Sequence, residues 1–312
     1  MQALGGLLVV DLTRYVPGAF ASSELLRLGA RVVRLEQPGG DPMRATAPEW
    51  HDLLNAGKES VVCDLPADLE LAQALLGRAD VALESFRPGV AERLGVGPDT
   101  VPHRTVYCSI TGFGRGGRHE QRAGHDLNYV GWAGLLADTA PALPPVQVAD
   151  LAAGALGAVT EILAALLRRE RTGEGGHVVV SMTHGSHALA PRTPVLTQGF
   201  ACYSIYDCAD ERRLTVAALE PKFFARLCEL VERPELAERQ YDPDQSALRR
   251  SLADVFARRT LEDWLQLFDT EDVCVGPVAT LAEAAADLGV PAHAAAPAAG
   301  AHTAEWRRAV GL

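Results

Sequence analysis

The stretch Leu7–Glu36, LLVVDLTRYVPGAFASSELLRLGARVVRLE, decides the fold class. It opens with Leu7–Leu12, a short apolar run rich in valine and leucine that predicts a buried strand. A helix follows, with Pro17 suited to its first turn. Gly29 is the residue type favoured just beyond a helix end. A second apolar strand, Arg31–Glu36, completes a strand-helix-strand unit.

The same alternation continues to about residue 184. Further strands are predicted at 60–64, 80–84, 105–110 and 177–182, and further helices near 67–76, 89–94, 126–137 and 150–169. Alternating strands and helices predict an α/β fold in which helices cover a parallel sheet.

The second part of the chain has a different pattern. Two antiparallel strands are predicted at 203–206 and 213–217, followed by helices at 221–232 and 246–258. Thr260-Leu-Glu-Asp263 resembles a capping box and predicts a third helix. The tail is rich in alanine and proline, so poor order is expected there. The predicted division is a large domain at 1–184, a linker at 185–202, a smaller α+β domain at 203–290 and a tail at 291–312.

Composition excludes several classes of protein. The formal charge of −11 over 312 residues disfavours binding to nucleic acid. The six cysteines form no C-x-x-C pair and no zinc-ligand spacing, so we expect reduced thiols and no metal site. We predict no export signal and no uncharged stretch of roughly 18 apolar residues that would span a membrane. A cytoplasmic protein is therefore expected.

A glycine-rich loop, Gly112-Phe-Gly-Arg-Gly-Gly117, follows the predicted strand 105–110. It is not a dinucleotide fingerprint, which would lie in the first strand-to-helix turn and open a helix directly. Two readings remain: a flexible surface loop, or a loop in which Gly112 and Gly114 let backbone amides approach a ligand carbonyl.

Two predicted helices begin at acidic or imidazole residues. Asp126 and Asp150 each suit the N-cap position, and a purely structural capping role is one interpretation. The alternative is catalytic. Helix starts carry partial positive charge and free N–H donors, which stabilise an enolate oxygen while His125 and an aspartate move protons.

Basic residues are concentrated between 86 and 122, in a chain that is acidic as a whole. They include Arg87 and Arg115. A solvated basic face is one interpretation, and a binding site for the phosphates of a nucleotide handle is the other.

Several sequence blocks in order resemble the family III CoA-transferases, and within them the α-methylacyl-CoA racemase branch. They are residues 7–13, 35–44, Leu54-Asn-Ala-Gly-Lys58, Ser85-Phe-Arg-Pro-Gly89, 111–114, Gly124-His-Asp-Leu-Asn-Tyr129, 173–180 and Ala218-Leu-Glu-Pro-Lys-Phe223. The resemblance implies a Rossmann-like large domain that binds CoA, a small domain, a tail returning toward the large domain, and an interlocked homodimer.

The resemblance also implies roles for individual residues. His125 and Asp150 match the two acid/base residues of the racemases, and Glu220 matches a glutamate that supports the histidine. Asp126 matches the nucleophile of the transferases. Besides Arg87, Arg115, Gly112 and Gly114, Lys58 is expected to contact CoA, which is part of the substrate; no tightly bound cofactor is expected.

The chain also departs from the family pattern. Gln37 stands where many racemases have a basic residue that contacts the nucleotide, the linker is shorter, and the C-terminus comes earlier. These departures favour an unusual acyl substrate, and they admit one that is carried on an acyl-carrier protein. The resemblance favours epimerisation at C2 of a 2-methylacyl-CoA, because the His125-Asp126 pair and Glu220 match the racemase branch. The alternatives are CoA transfer through an Asp126 mixed anhydride and non-catalytic binding of an acyl carrier or partner protein.

Overall fold

The computed structural model describes residues 2–65, 67–191, 193–197 and 199–312. The chain divides into two compact units, Met1–Ala190 with Ala292–Leu312, and Pro191–Pro291. Two residues of the predicted 185–202 linker, Arg192 and Gln198, lie outside the described residues.

The strands are β1 (Leu8–Asp11), β2 (Arg31–Glu36), β3 (Glu59–Val62), β4 (Val81–Glu84), β5 (Val106–Thr111), β6 (Gly176–Ser181), β7 (Tyr203–Asp207), β8 (Arg213–Ala217) and β9 (Val275–Pro277). The α-helices are α1 (Tyr15–Arg27), α2 (Met43–Thr46), α3 (Pro48–Asn55), α4 (Leu69–Leu76), α5 (Val90–Arg93), α6 (Asp126–Trp132), α7 (Gly157–Thr172), α8 (Met182–Leu189), α9 (Pro221–Leu230), α10 (Gln245–Phe256), α11 (Leu261–Phe268), α12 (Leu281–Asp287) and α13 (Thr303–Val310). A π-helical segment, Val148–Leu156, leads directly into α7.

The first unit is built on a six-stranded sheet with the order β3-β2-β1-β4-β5-β6, in which all paired strands are parallel. Strands β4 and β5 are buried along their whole length, as expected where helices cover both faces of a sheet. This confirms the predicted α/β fold. From β1 the strand order proceeds to β2 and β3 on one side and to β4, β5 and β6 on the other, so the switch point lies between β1 and β4. The crevice at such a switch point is where open α/β sheets bind ligands.

A buried polar network fixes the turn from β1 into α1. Asp11 accepts hydrogen bonds from the Thr13 N–H at 2.8 Å and from the Ser22 hydroxyl at 2.5 Å. Gly18 lies so close to Thr13 that a Cβ would come within 2.1 Å of the threonine Cβ. The end of β1 and the start of α1 are therefore held in one arrangement.

The helical stretch from Val148 to Thr172 begins two residues before the predicted start. Within the described residues it is the one helix long and apolar enough, by length and composition, to cross a membrane. Its apolar composition has a structural explanation, because Ala155, Ile162 and Leu166 belong to the core against the sheet.

The C-terminal tail closes the edge of the sheet, and the prediction that it would be poorly ordered was wrong for α13. Trp306 of α13 is buried, and its indole N–H donates to Glu59 at 2.6 Å. The N–H of His302 donates to the Ser60 carbonyl at 2.9 Å. The alanine-rich composition gave no indication of this packing. It depends on one aromatic side chain, Trp306, and on contacts with residues distant in sequence.

The second unit has its own antiparallel sheet, β7-β8-β9, and its own core. The predicted capping box at Thr260 is confirmed, since the Asp263 N–H donates to the Thr260 hydroxyl oxygen at 3.1 Å and the Thr260 N–H donates back to the Asp263 carboxylate. Strand β9 and helix α12 were not predicted.

Candidate active site

A cavity of about 670 Å³ lies where strands β1, β4 and β5 end. The loops that follow these three strands supply most of its wall. The lining residues are Arg14, Tyr15, Pro17, Ser85, Phe86, Arg87, Pro88, Ile110, Thr111, Gly112, Glu120, Arg122, Ala123, Gly124, His125, Asn128, Tyr129, Asp150 and Met182. Its position at the carboxyl ends of parallel strands, beside the switch point, is where this architecture binds ligands.

His125 lies on this wall at the start of α6. It is the N-cap residue, with extended backbone angles, and its N–H donates to the side chain of Asn128 at 3.0 Å. The expectation that Asp126 caps this helix was wrong, because Asp126 is already its first helical residue. A shift of one residue in the helix start moved the capping position from the aspartate to the histidine.

Asp126 instead binds a second helix start. It is 9% exposed, and its Oδ1 accepts the backbone N–H of Asp150 at 2.9 Å. Asp150 is the third residue of the π-helical segment, whose N-cap is Gln147, so Asp150 is not an N-cap either. The two aspartates therefore lie side by side, although they are 24 residues apart in sequence.

Their closeness changes the acidity of Asp150. Burial, together with the neighbouring Asp126 carboxylate, raises the pKa of Asp150 from 3.8 to about 7. Burial acts because it removes water from the charged form, and Asp126 acts by like-charge repulsion. A carboxyl group with this pKa both donates and accepts a proton near neutral pH.

Tyr129 lines the cavity, and the sequence analysis assigned it no role. Its hydroxyl donates to the Gly124 carbonyl at 2.6 Å. Its ring lies against two glycines: a Cβ at Gly112 would come within 2.5 Å of it, and one at Gly124 within 2.7 Å. Gly112 is therefore required for close packing. The spacing Gly124-x₄-Tyr129 was visible in the sequence, but nothing there revealed the contact.

Three arginines line the cavity: Arg14, Arg87 and Arg122. Within the described part of the chain, none of them forms an ion pair with a carboxylate, and the Arg122 guanidinium lies over the Trp132 ring at 5.2 Å. The N–H of Phe86 donates to the buried Glu84 at 2.6 Å, which fixes the loop that carries Arg87. The cavity therefore offers unpaired positive charge beside His125 and Asp150.

Other predicted ligand contacts are occupied within the protein. Lys58 is 3% exposed, and its ammonium donates to the Ala19 carbonyl, the Ser22 hydroxyl and the Asn55 side chain at 2.7–2.9 Å. All three donors are thus used, and Lys58 has none left for CoA.

Two residues of the glycine loop are occupied in the same way. Arg115 forms an ion pair with Glu92 at 2.9 Å, and the amide of Gly114 donates to the Thr111 hydroxyl. Both groups would have to exchange these partners before they could contact a ligand.

A second cavity, of about 420 Å³, lies where β1, β2 and β3 end. Gln37 lines it, and Arg14 and Phe86 line both cavities. The two cavities are therefore adjacent parts of one cleft across the switch point.

Glu220 lies in the second unit, where it is the N-cap residue of α9. Its predicted support of His125 stays a prediction. Among the described residues there is no group of three or more histidine, cysteine, aspartate or glutamate side chains placed to hold a metal ion.

Comparisons with known proteins match one family over most of the chain. Residues 4–296 match the family model described as CoA-transferase family III. The chain is 35% identical over 311 residues to the human alpha-methylacyl-CoA racemase, covering 90% of this chain and 79% of that protein. It is 32% identical over 326 residues to the acetyl-CoA:oxalate CoA-transferase of Acetobacter aceti, covering 90% and 82%. A crystal structure of a CaiB/BaiF family protein from Brucella suis superposes with a TM-score of 0.83 at 25% identity, covering 98% of this chain and 99% of that one.

Proposed function

Because this chain belongs to CoA-transferase family III, whose members act on CoA thioesters, we propose that it epimerises C2 of a 2-methylacyl-CoA. In this reaction one base removes the C2 proton, an enolate forms, and a second acid returns a proton to the opposite face. The thioester carbonyl makes the proton removable because it is less resonance-stabilised than a carboxylate. His125 and Asp150 are the two proton carriers.

One observation favours this reaction over CoA transfer. His125 and Asp150 line the cavity, whereas Asp126 is not among the described residues that do so, and its carboxylate is bound to the Asp150 N–H. A transferase nucleophile must reach the thioester carbon. In this arrangement Asp126 instead holds Asp150 in place and raises its pKa.

The same geometry supports a role for each catalytic group. The pKa of about 7 for Asp150 places its two protonation states within reach at neutral pH, as general acid–base catalysis requires. The enolate oxygen needs hydrogen-bond donors. The amide of Gly114 already donates to the Thr111 hydroxyl and that of Gly116 to the Glu120 carboxylate, so we assign this role to the amides that begin α6.

CoA would lie along the cleft, with its acyl end beside His125. Arg87, Arg14 and Arg122, which form no ion pair among the described residues, supply positive charge for its phosphates. The second cavity, which contains Gln37, would take the nucleotide end. The alternative is that the acyl group is carried on an acyl-carrier protein instead of CoA. Comparing the rates with the CoA thioester and the carrier-protein thioester of one acyl group would distinguish the two carriers.

We also propose that the protein works in the cytoplasm, as its composition predicted, and as a homodimer, as the family resemblance implied. The helix Val148–Thr172 leaves Leu156, Leu163 and Leu167 exposed, which is apolar surface suited to a partner copy. Light scattering at micromolar concentration should give the mass of a dimer, and a monomer mass would exclude this assembly.

The function is tested by comparing His125→Ala with Asp126→Asn on one 2-methylacyl-CoA. Deuterium incorporation at C2 in D₂O reports proton transfer, and exchange of CoA onto an added carboxylate reports transfer. The loss of one proton carrier should slow deuterium incorporation by roughly 10²- to 10⁴-fold in His125→Ala. Asp126→Asn keeps an oxygen for the Asp150 N–H. It leaves burial, the larger cause of the raised Asp150 pKa, in place, so this variant should retain most of the activity.

The opposite pattern would reject the racemase assignment: Asp126→Asn inactive and His125→Ala active in CoA transfer. If the unchanged protein carries out neither reaction, a non-catalytic binding role is favoured.

A further inference from the structure

Tyr15 has a backbone conformation that its side chain disfavours. Its φ angle is +63°, in the left-handed region, where a Cβ crowds the following carbonyl oxygen. Of the four described non-glycine residues with positive φ, Tyr15 is the one that lines the cavity. A bulky residue held in this region at a ligand site points to a functional requirement.

The surrounding structure holds Tyr15 in this conformation. Its N–H donates to Asp41 Oδ2 at 3.2 Å. Asp41 in turn forms a buried ion pair with Arg34 of β2 and accepts the Met43 N–H at 2.7 Å. Because both members of the ion pair are almost fully buried, Asp41 is a fixed anchor for the Tyr15 amide.

This backbone conformation places the Tyr15 ring in the cavity against the imidazole of His125. The two ring centroids are 6.3 Å apart with an interplanar angle of 88°. Edge-to-face contacts at this separation are favourable and directional. Asn128 fixes the main chain of His125, and the two residues form a capping box in which the Asn128 N–H meets the His125 side chain. The Tyr15 ring contacts the same imidazole and adds a second restraint on its orientation.

We infer that Tyr15 is a positioning residue that sets the orientation of the His125 imidazole, and that its strained backbone is kept for this purpose. The inference rests on the proposed function only in treating His125 as a proton carrier. The orientation itself is measurable without any substrate.

The test uses three variants of the full-length protein. Tyr15→Phe keeps the ring, whereas Tyr15→Ala and Tyr15→Gly both remove it, and only glycine also relieves the left-handed strain. The His125 signal followed is the set of three-bond couplings that report its side-chain rotamer, measured by NMR on histidine-labelled protein and assigned by its loss in His125→Gln; unlike the chemical shift, these couplings do not change merely because the ring current of Tyr15 is removed. Melting temperatures and the kcat and KM of deuterium incorporation into a 2-methylacyl-CoA complete the measurements.

We expect Tyr15→Phe to keep the His125 signal and to retain kcat within about twofold. The alanine and glycine variants should both move the signal. Their kcat should fall by roughly 10- to 100-fold with little change in KM, because misplacing a reacting group by about 1 Å has effects of this size. Tyr15→Gly should melt above Tyr15→Ala, since it relieves the strain.

Three results would overturn the inference. An unmoved His125 signal in both the alanine and glycine variants means that Tyr15 only lines the cavity. A Phe variant as slow as the Ala variant means that the hydroxyl matters rather than the ring. A glycine variant that melts no higher than the alanine variant removes the argument from strain. If the signal moves but even the unchanged protein incorporates no deuterium, the positioning role stands and the proposed reaction fails.

Discussion

Replacing Asp150 with asparagine should stabilise the protein at alkaline pH and have much less effect at acidic pH. The pKa of Asp150 is about 7 in the folded protein, against an ordinary value of 3.8. Each pKa unit corresponds to about 1.36 kcal/mol, so ionising this group costs about 4 kcal/mol more in the folded protein than in water. Asparagine resembles the protonated carboxyl group and never ionises.

The direction follows from proton binding. Below pH 3.8 the carboxyl is protonated in both states and makes no difference. As the pH rises toward 7, the unfolded chain releases a proton that the folded protein retains, so the unchanged protein loses stability. Between pH 5 and pH 8 this loss is about 2.5 kcal/mol, and the asparagine variant should escape it.

The assay is urea unfolding of both proteins at pH 5 and pH 8, at one protein concentration so that any assembly contributes equally. The difference in the free energy of unfolding should shift in favour of Asp150→Asn by about 2.5 kcal/mol over this range. Asp126→Asn is the matched control. It removes a neighbouring charge and lowers the pKa of Asp150, so its own stability should depend less on pH than that of the unchanged protein. Equal differences at the two pH values would refute the assignment of a raised pKa.

Three further predictions concern the CoA-binding arginine, the packing of Gly112 on Tyr129, and the C-terminal tail. Arg87→Ala should raise the KM for the acyl-CoA roughly tenfold to a hundredfold, as expected for the loss of a charge-assisted contact, while the exposed Arg78→Ala leaves it unchanged; an unaltered KM in both would remove Arg87 from the CoA site. Gly112→Ala should cost about 1–3 kcal/mol in urea unfolding because its Cβ meets the Tyr129 ring, and a Tyr129→Ala background should abolish that cost. Trp306→Ala should cost about 3–5 kcal/mol, and a loss below 1 kcal/mol would show that the tail contributes little to the first unit.

The strands of the parallel sheet were predicted well because strands that are buried on both faces appear in the sequence as continuous apolar runs. Leu7–Leu12 was predicted and Leu8–Asp11 observed, and β5 was predicted at 105–110 and observed at Val106–Thr111. The short helices α2 and α3 were missed, although α4 and α5, which have the same lengths, were predicted. Prolines at 42 and 48 interrupt the segment that holds α2 and α3, and a proline is a signal for a turn or a helix boundary.

The site was harder to predict because its geometry depends on contacts that are distant in sequence. His125 and Asp150 were identified by resemblance and do line one cavity. The bond from Asp126 to the Asp150 amide joins two helix starts and leaves no local pattern. The left-handed backbone of Tyr15 depends on Asp41, which lies 26 residues later, and tyrosine carries no tendency toward it.

The tail that covers β3 has a consequence for the order of folding during synthesis. The ribosome completes all of Pro191–Pro291 before it makes Ala292–Leu312. The second unit is continuous in sequence and can fold as its residues emerge, whereas the first unit has no cover for its β3 edge until α13 arrives. An unpaired strand edge is a template for aggregation, so nascent chains are exposed to mispairing for the whole time that the second unit is being translated. Slow translation across 191–291 would lengthen that exposure.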